Sequence, residues 1–267
     1  MAEYISFQPT DHFVTHLYTA NGSTNAQTIG LKPALTWIKK RSGSSSHYLF
    51  DVTRTTYSVP SDDNAAESDQ SGQGFTSLDS NGFTLSGTGG GGGVNDGTNT
   101  FASWNWKGAS ATSTNTAGDV DSTVSVNTTA GISVVKWNNN TSDAISIGHG
   151  LDAIPDAVIV KKTDGVANWH CRFKNFTANQ YISLNNTEFI GSSTGVFGTL
   201  PTSTLFYTGT SSYHINSNLV AYCFASKKGF SKIGGTYKGN GNADGPFVYT
   251  GFRPAFLMIK CSSATEN

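Results

Sequence analysis

Few side chains in this sequence have the types and spacing that catalysis or metal binding needs. His12 and His16 are four residues apart, which suits a metal on a helix, but no third ligand or accompanying acid lies close by in the sequence. Four carboxylates fall within residues 62–69, yet the Asp-x-Asp-x-Asp-Gly pattern of a calcium loop is missing. We therefore expect no metal site and assign these side chains to turns and solvated loops.

The sequence also lacks the patterns of the common hydrolases. A glycosidase generally needs two carboxylates flanking one bond, and glutamate is scarce. The glutamates are Glu3, Glu67, Glu188 and Glu266. Most aspartates stand in turn contexts such as Asp96-Gly97, where the side chain caps the backbone. No Gly-x-Ser-x-Gly elbow occurs in a strand-turn-helix context. We expect no catalytic residues and no cofactor, and keep a polysaccharide depolymerase as the less favoured alternative.

A run of glycines at 89–93 is the one glycine-rich loop that invites a functional interpretation. A phosphate-binding loop ends in Gly-Lys followed by Ser or Thr, which places the lysine on the phosphates. This run continues instead into Val94 and Asn95. We predict a flexible hairpin or loop tip here rather than a nucleotide site.

Tryptophans are the residues best suited to ligand contact. Trp104 and Trp106 are two residues apart, which places both on one face of a predicted strand. An indole face complements the C–H face of a pyranose ring. Together with Trp137 and Trp169, these residues are our candidates for carbohydrate contact. They could equally pack in the core, since large aromatic side chains dominate core energetics.

The elements that must position these residues follow from a repeated segment. Residues 30–39 read Gly-Leu-Lys-Pro-Ala-Leu-Thr-Trp-Ile-Lys, residues 251–260 repeat this pattern, and residues 154–161 form a looser copy. The copies are about 100 residues apart, the size of a β-sandwich domain rather than of a solenoid repeat. Proline followed by an apolar run predicts a strand buried on both faces, with the closing lysine reaching water.

Composition and turn signals predict an all-β fold of tandem antiparallel β-sandwich (jelly-roll-like) units. The chain has 36% hydrophobic and 13% charged residues with 30 glycines. We divide it into an N-terminal arm at 1–17, a first unit at 18–109, a Ser/Thr/Asn-rich linker at 110–130, a second unit at 131–233 and an incomplete third unit at 234–267. Two strands cannot bury their apolar residues alone. The third unit is therefore expected to dock on the second unit or a neighbouring subunit, or the sequence is a piece of a longer protein.

Charge and targeting signals bear on partners and location. The net charge is −1 and basic residues do not cluster, which argues against a nucleic-acid partner. The first residues lack a signal peptide pattern, no window suits a membrane span, and three widely spaced cysteines indicate buried reduced thiols. An adhesin-like composition without an export signal fits a virion component made in the host cytoplasm.

Several motifs resemble those of one family. They are Tyr-Thr-Ala-Asn-Gly-Ser at 18–23, Trp-Ile-Lys at 37–39, Gly-His-Gly-Leu at 148–151, Ala-Tyr-Cys-Phe at 221–224, and the stretches 47–54, 101–107 and 244–254. Together they cover nearly the whole chain, which resembles the repeat-containing virion structural, tail-fibre-like proteins of marine bacteriophages of the cyanophage type. The resemblance implies a virion structural protein without assigned catalytic residues.

The favoured expectation is a tail fibre or spike that binds host-surface glycans and assembles as a homo-oligomer with other virion proteins. Avidity from repeated weak sites would offset a low affinity at each site. The alternatives are a capsid decoration or head-fibre protein, and an extracellular filament subunit in which the third unit completes a neighbour by strand addition. None of these functions involves membrane insertion.

Overall fold

The computed structural model describes residues 5–72, 74–87 and 93–263, and the protein is all-β in these residues, as the sequence predicts. A 3₁₀ turn at Pro9–Asp11 precedes the strands of the first unit. These are β1 (Phe13–Thr19), β2 (Asn25–Thr28), β3 (Pro33–Lys40), β4 (His47–Asp51), β5 (Tyr57–Pro60), β6 (Ser68–Asp69), β7 (Phe75–Asp79), β8 (Gly82–Leu85) and β9 (Thr100–Lys107). In the described part of the chain, no helix is long and apolar enough to span a bilayer.

The strands of the second unit follow along the chain. They are β10 (Ser113–Asn115), β11 (Ser122–Asn127), β12 (Ile132–Asn139), β13 (Ile145–Gly148), β14 (Ala157–Lys162), β15 (His170–Phe173), β16 (Gln180–Ser183), β17 (Gly191–Ser192), β18 (Leu205–Thr208) and β19 (Ser217–Phe224). The named strands pair antiparallel throughout both units.

Each unit consists of one large and one small sheet. In the first unit a six-stranded sheet in the order β1-β9-β3-β4-β5-β6 faces a three-stranded sheet in the order β2-β8-β7. In the second unit an eight-stranded sheet in the order β10-β11-β12-β19-β14-β15-β16-β17 faces the pair β13-β18. Most of the predicted glycine loop, residues 89–92, lies outside the described residues.

The repeated segment forms the middle of both large sheets. β3 lies between β9 and β4, and β14 lies between β19 and β15. Ile38 and Val160, at equivalent positions of the two strands, are both 0% exposed and pack toward the small sheet of their own unit. The prediction of a central strand buried on both faces is confirmed for these two copies.

The closing lysine of the repeated segment binds backbone carbonyl groups. Lys161 is buried, and its Nζ donates to the carbonyl oxygens of Asn64 (3.2 Å), Lys162 (2.8 Å) and Ala167 (3.0 Å). The prediction that this lysine reaches water is therefore wrong for Lys161, because a loop of the first unit covers it. Lys39 and Lys260 also donate to carbonyl oxygens, those of Ser45 and Asn186.

The two large sheets pack face to face and bury what we call the central cluster. Its buried members are Ala34, Leu35, Leu49, Val59 and Trp106 of the first unit, with Ala130, Ile132, Val134, Ile159, Trp169, Cys171, Ile182, Val220 and Tyr222 of the second. Period-two alternation along each strand supplies one face to this cluster and the opposite face to the small sheet. The molecule therefore has four layers, with small sheets outside and large sheets inside.

Two boundaries from the sequence differ from the structure. The predicted N-terminal arm runs to residue 17, but the first large sheet already begins at Phe13, because β1 pairs with β9 along its whole length from Phe13 to Thr19. The Ser/Thr/Asn-rich linker contains two strands, β10 and most of β11, which extend the second large sheet through β12. In β11, Ser122, Val124 and Ser125 are buried, and Thr123 alone is exposed.

The third copy of the segment is not a strand. In the described part of residues 234–267, which ends at residue 263, no strand is assigned, and residues 235–249 are all exposed. The expectation of a strand over the third copy was wrong for this chain, because none of the strands in the described ranges pairs with it to satisfy its backbone groups. Phe256 and Met258 nevertheless pack against the central cluster.

All three cysteines are free thiols. Cys171 and Cys223 are buried, and burial raises the pKa of the Cys171 thiol to about 12. Cys261 is exposed, so the expectation of buried thiols is confirmed for two residues and wrong for the third.

Candidate functional site

Two tryptophans lie side by side on the central-cluster face of the first large sheet, at the rim of that cluster. Trp37 of β3 and Trp104 of β9 are direct cross-strand partners, so their side chains leave the sheet on the same side. Both are half-buried and pack at the rim of the central cluster. We call Trp37 and Trp104 the tryptophan pair.

A phenylalanine from the C-terminal region covers part of the tryptophan pair. The ring centroid of Phe256 lies 5.7 Å from that of Trp37 and 5.6 Å from that of Trp104. It also lies 5.2 Å from Trp106 and 6.5 Å from Phe13, in edge-to-face geometry. Edge-to-face aromatic contacts of this kind are favourable beyond the area they bury. One side of the pair is thus closed by the chain itself.

A polar side chain fixes the orientation of Trp37. The indole Nε1–H donates to Nδ1 of His47 across 3.3 Å. Because an indole nitrogen only donates, His47 Nδ1 accepts and the ring carries its proton on Nε2. Burial, with the nearby Lys39 charge, lowers the pKa of His47. The imidazole is therefore neutral at neutral pH and keeps this hydrogen bond.

The surface continues from the tryptophan pair toward the edge of the sheet. Thr15 of β1 is opposite Trp104, and Leu17, two residues further along the strand on the same face, is opposite Ala102. Thr15 is exposed, and Leu17 is 56% exposed. A flat apolar surface with hydroxyl and imidazole groups beside it can stack a ring and hydrogen-bond its substituents. It offers no nucleophile next to a base.

The other predicted contact residues are in the interior. Trp106 is 9% exposed, Trp137 3% and Trp169 0%. Trp137 packs edge-to-face on Phe206, 5.3 Å between centroids, and Trp169 Nε1 donates to the Pro60 carbonyl oxygen at 2.8 Å. These three predictions were wrong, because no indole face is open to a sugar. Trp104 stays a prediction, and its same-face relation to Trp106 is confirmed.

Sequence reasoning missed Trp37. It lies in the repeated segment, where Ile159 and Met258 occupy the equivalent positions of the other copies. A tryptophan at the position where the sibling copies have an aliphatic residue is the signal that could have marked it. Its pairing with Trp104 depends on β3 lying beside β9, which the linear sequence does not show.

A family comparison bears on the whole chain. The model of a family described as "Domain of unknown function (DUF7483)" matches residues 8–267. The chain belongs to this family. No curated protein and no solved structure matches it.

A buried ion pair in the first unit of this DUF7483 chain is hydrogen-bonded to a tyrosine of the second unit. Arg54 Nη2 lies 2.6 Å from Asp51 Oδ2 and donates to the Tyr222 hydroxyl at 3.0 Å. The Tyr222 hydroxyl donates in turn to Asp51 Oδ2 at 2.8 Å. All three side chains are buried, so no substrate reaches them. The group connects the units rather than performing chemistry.

The pKa of Asp51 reflects this partnership. Burial alone would raise it, but the Arg54 charge and hydrogen bonds from Thr53, Arg54 and Tyr222 outweigh that effect and hold the pKa below its usual value. A fully paired buried charge network of this kind costs little while it is intact, whereas removing one partner leaves an uncompensated charge.

Two histidines of the DUF7483 chain form a buried pair. His214 Nδ1 donates to the Val196 carbonyl oxygen at 3.0 Å, so its Nε2 accepts from His170 Nδ1, also at 3.0 Å. Burial lowers the pKa of His170 to about 4 and that of His214 to about 3. No group of three or more His, Cys, Asp or Glu side chains placed to hold a metal occurs among the described residues.

The residues first considered for metal binding are used in local contacts. His12 bonds with Asn127 and His16 with Gln27. Within residues 62–69, the carboxylates accept hydrogen bonds from neighbouring groups, as Asp62 does from the His47 amide at 3.0 Å. Glu67 lies 3.4 Å from Arg54. These contacts stabilise turns and the interface between the units.

Proposed function

We propose that this DUF7483 chain is a bacteriophage virion structural protein, a tail fibre or spike that binds host-surface glycans through Trp37 and Trp104. The observation that carries the glycan part is the cross-strand placement of two half-buried indoles at the rim of the central cluster, on one face of the first large sheet. The virion part is supported by the motif resemblance and by the low-charge, Ser/Thr/Asn/Gly-rich composition.

Preorganisation favours this use of the tryptophan pair. Sheet hydrogen bonds hold both backbones, and the His47 contact fixes the Trp37 ring. Binding a sugar then orders few side chains, which reduces the entropic cost of association. The surface is shallow, so each contact is weak, and several copies on one particle would supply avidity.

The same proposal assigns no catalysis to the chain. Asp51, His170 and His214 are buried away from any polymer. A glycosidase needs two carboxylates that reach the same glycosidic bond. A protein that holds a glycan without cleaving it needs only the aromatic surface and its polar rim.

Glycan binding is tested by an array of bacterial surface polysaccharides, followed by calorimetry with each bound glycan. Trp104→Ala and Trp37→Ala should each weaken binding at least about tenfold, equivalent to about 1.4 kcal/mol. Tyr57→Ala is the matched control, since Tyr57 is an exposed aromatic residue elsewhere on the first unit. Equal loss in all three variants, or binding unchanged by both tryptophan variants, would contradict the proposal.

Two further outcomes separate the alternatives. Release of reducing ends from a bound polysaccharide would mean that the chain is a depolymerase rather than a glycan-binding protein. Density for this chain on the capsid lattice in a cryo-EM map of the particle would favour a capsid decoration or head-fibre protein, whereas density at the tail supports the tail fibre.

A further inference from the structure

The C-terminal region carries a concentration of exposed apolar side chains. The large ones are Tyr237, Phe247, Val248, Tyr249, Leu257 and Ile259. Arg253 is the single charged residue from 245 to 259. Other exposed large apolar residues, such as Ile154 and Leu200, are scattered singly among the described residues. Exposed apolar side chains concentrated in one region of a chain indicate an interaction surface.

The sibling copies show which side of this region is uncovered. Ile259 is equivalent to Ile38 and Val160, yet it is 60% exposed where they are 0% exposed. Leu257 is equivalent to Thr36 and Val158, and it is 67% exposed where they are buried. In each complete unit these positions pack inside a sandwich.

The opposite side of the third copy packs on the central cluster, as the equivalent side does in the other two copies. Phe256 and Met258 pack on the central cluster, as do Leu35 and Ile159 of the complete units. The segment 254–260 is therefore packed on one side only, and among the described residues no strand pairs with it. It needs a strand beside it and an apolar layer over it.

A second copy of the chain has the matching features. β1 is a seven-residue edge strand that pairs with β9 on one side only, within the described residues. It has no Lys, Arg, Asp or Glu along its length. Edge strands are usually protected by such charges. Leu17, its most exposed apolar residue, can cover an aliphatic side chain of the partner.

The two elements also lie next to each other on one chain. Phe13 of β1 and Phe256 are 6.5 Å apart between ring centroids. A two-fold axis beside them brings β1 of each copy to the 254–260 segment of the other, so one symmetric interface contains both contacts. A reciprocal contact closes as a dimer and leaves no open end.

We propose that the chain forms a two-fold dimer in which β1 of each copy pairs with residues 254–260 of the other and covers Leu257 and Ile259. Strand addition satisfies the backbone groups of a segment that has the sequence of a central strand but lacks neighbours. The dimer is inferred from the apolar face and the open edge and not from glycan binding, although Leu17 borders both surfaces.

The test is sedimentation of the full chain over a range of concentrations, with three variants. Wild type should be a dimer that dissociates on dilution. Ile259→Asp and Leu17→Lys, at the two sides of the contact, should each raise the dissociation constant at least about tenfold. Leu200→Asp, on an exposed leucine elsewhere, should leave it unchanged.

Two results would overturn the dimer. One is a wild-type chain that stays monomeric at the highest concentration reached, which would leave the apolar face for a different partner. The other is dimerisation that Ile259→Asp and Leu17→Lys do not weaken relative to Leu200→Asp. Circular dichroism of each variant checks that the sandwich units remain folded.

Discussion

Strand β14 and residues 254–260 are two copies of one sequence pattern in different surroundings. β14 has a hydrogen-bonded strand on each side, and its residues from Ala157 to Lys161 are buried. Residues 254–260 pack one side on the central cluster, leave the other exposed and have no assigned strand. An apolar run that starts at proline is therefore compatible with a central strand, but neighbouring strands decide whether it becomes one.

The copies also differ in how much they contribute to the stability of the fold. The complete copies are held between a small sheet and the central cluster, and the third copy is held by one face alone. Lys161 and Lys260 show the same contrast, because Lys161 donates to three carbonyl groups and Lys260 to the carbonyl of Asn186. Substitutions at equivalent positions of the copies should therefore lower the free energy of unfolding by unequal amounts.

The largest effect is expected at the interface between the units. Arg54→Ala leaves Asp51 buried without its cation and should lower the free energy of unfolding by about 3–5 kcal/mol. Urea unfolding followed by tryptophan fluorescence measures this. Lys174→Ala is the control, since the Lys174 side chain is 44% exposed in its pair with Asp156, and this pair should contribute under about 1 kcal/mol. Equal losses would mean that the buried pair does not hold the units together.

Equivalent isoleucines provide the sharpest version of the comparison. Ile38→Ala creates a cavity between the sheets of the first unit and should cost about 2–5 kcal/mol. Ile259→Ala removes an exposed side chain and should cost under about 0.5 kcal/mol. Both are measured by urea unfolding at concentrations that keep the chain monomeric. A similar cost for the two variants would show that residues 254–260 are as buried as β3.

The buried histidine pair predicts a loss of stability in acid that arises within the second unit. Burial holds the pKa of His170 at about 4 and of His214 at about 3, below the ordinary value of 6.5. The unfolded chain therefore binds more protons as the pH falls from about 6.5 to 4, and the free energy of unfolding declines through this window. Thermal unfolding between pH 7 and 4 measures the decline.

A variant separates this effect from the titration of carboxylates. His214→Gln removes one of the two buried groups and should flatten the decline between pH 6.5 and 4, even though it lowers stability at pH 7. An identical slope in wild type and variant would exclude the histidine pair as the source.

Phe256→Ala should affect stability less than Ile38→Ala does. Phe256→Ala uncovers the indole faces of Trp37 and Trp104 and should increase acrylamide quenching of tryptophan fluorescence, at a cost in stability of about 1 kcal/mol because the side chain is only half-buried. Phe247→Ala is the control in the same region, since Phe247 is exposed. Unchanged quenching in Phe256→Ala would mean that Phe256 does not cover the pair.

The sequence was sufficient for the fold class and for the two central strands, because alternation and proline position depend on local pattern. It was insufficient for the relation between the units. An apolar strand residue such as Trp106 or Ile159 gives the same sequence pattern whether it faces a small sheet or the other unit. The shared central cluster therefore cannot be derived from periodicity. Burial of Trp169 depends on Pro60, which is distant along the chain.

The candidate site was predictable in part for the same reason. Trp104 was identified from its residue type, but its partner Trp37 depends on which strands are neighbours. Arg54 and Tyr222 come from different units, and nothing in either local sequence indicates that they meet.

The measurement that tests this account most directly is hydrogen exchange of the Leu17→Lys variant, in which the proposed dimer is weakened, at low concentration. Amides of residues 157–162 should exchange only through global unfolding, and amides of residues 254–260 should exchange orders of magnitude faster. Equal protection of the two copies in the monomer would contradict the claim that neighbouring strands, rather than the repeated sequence itself, make the central strand.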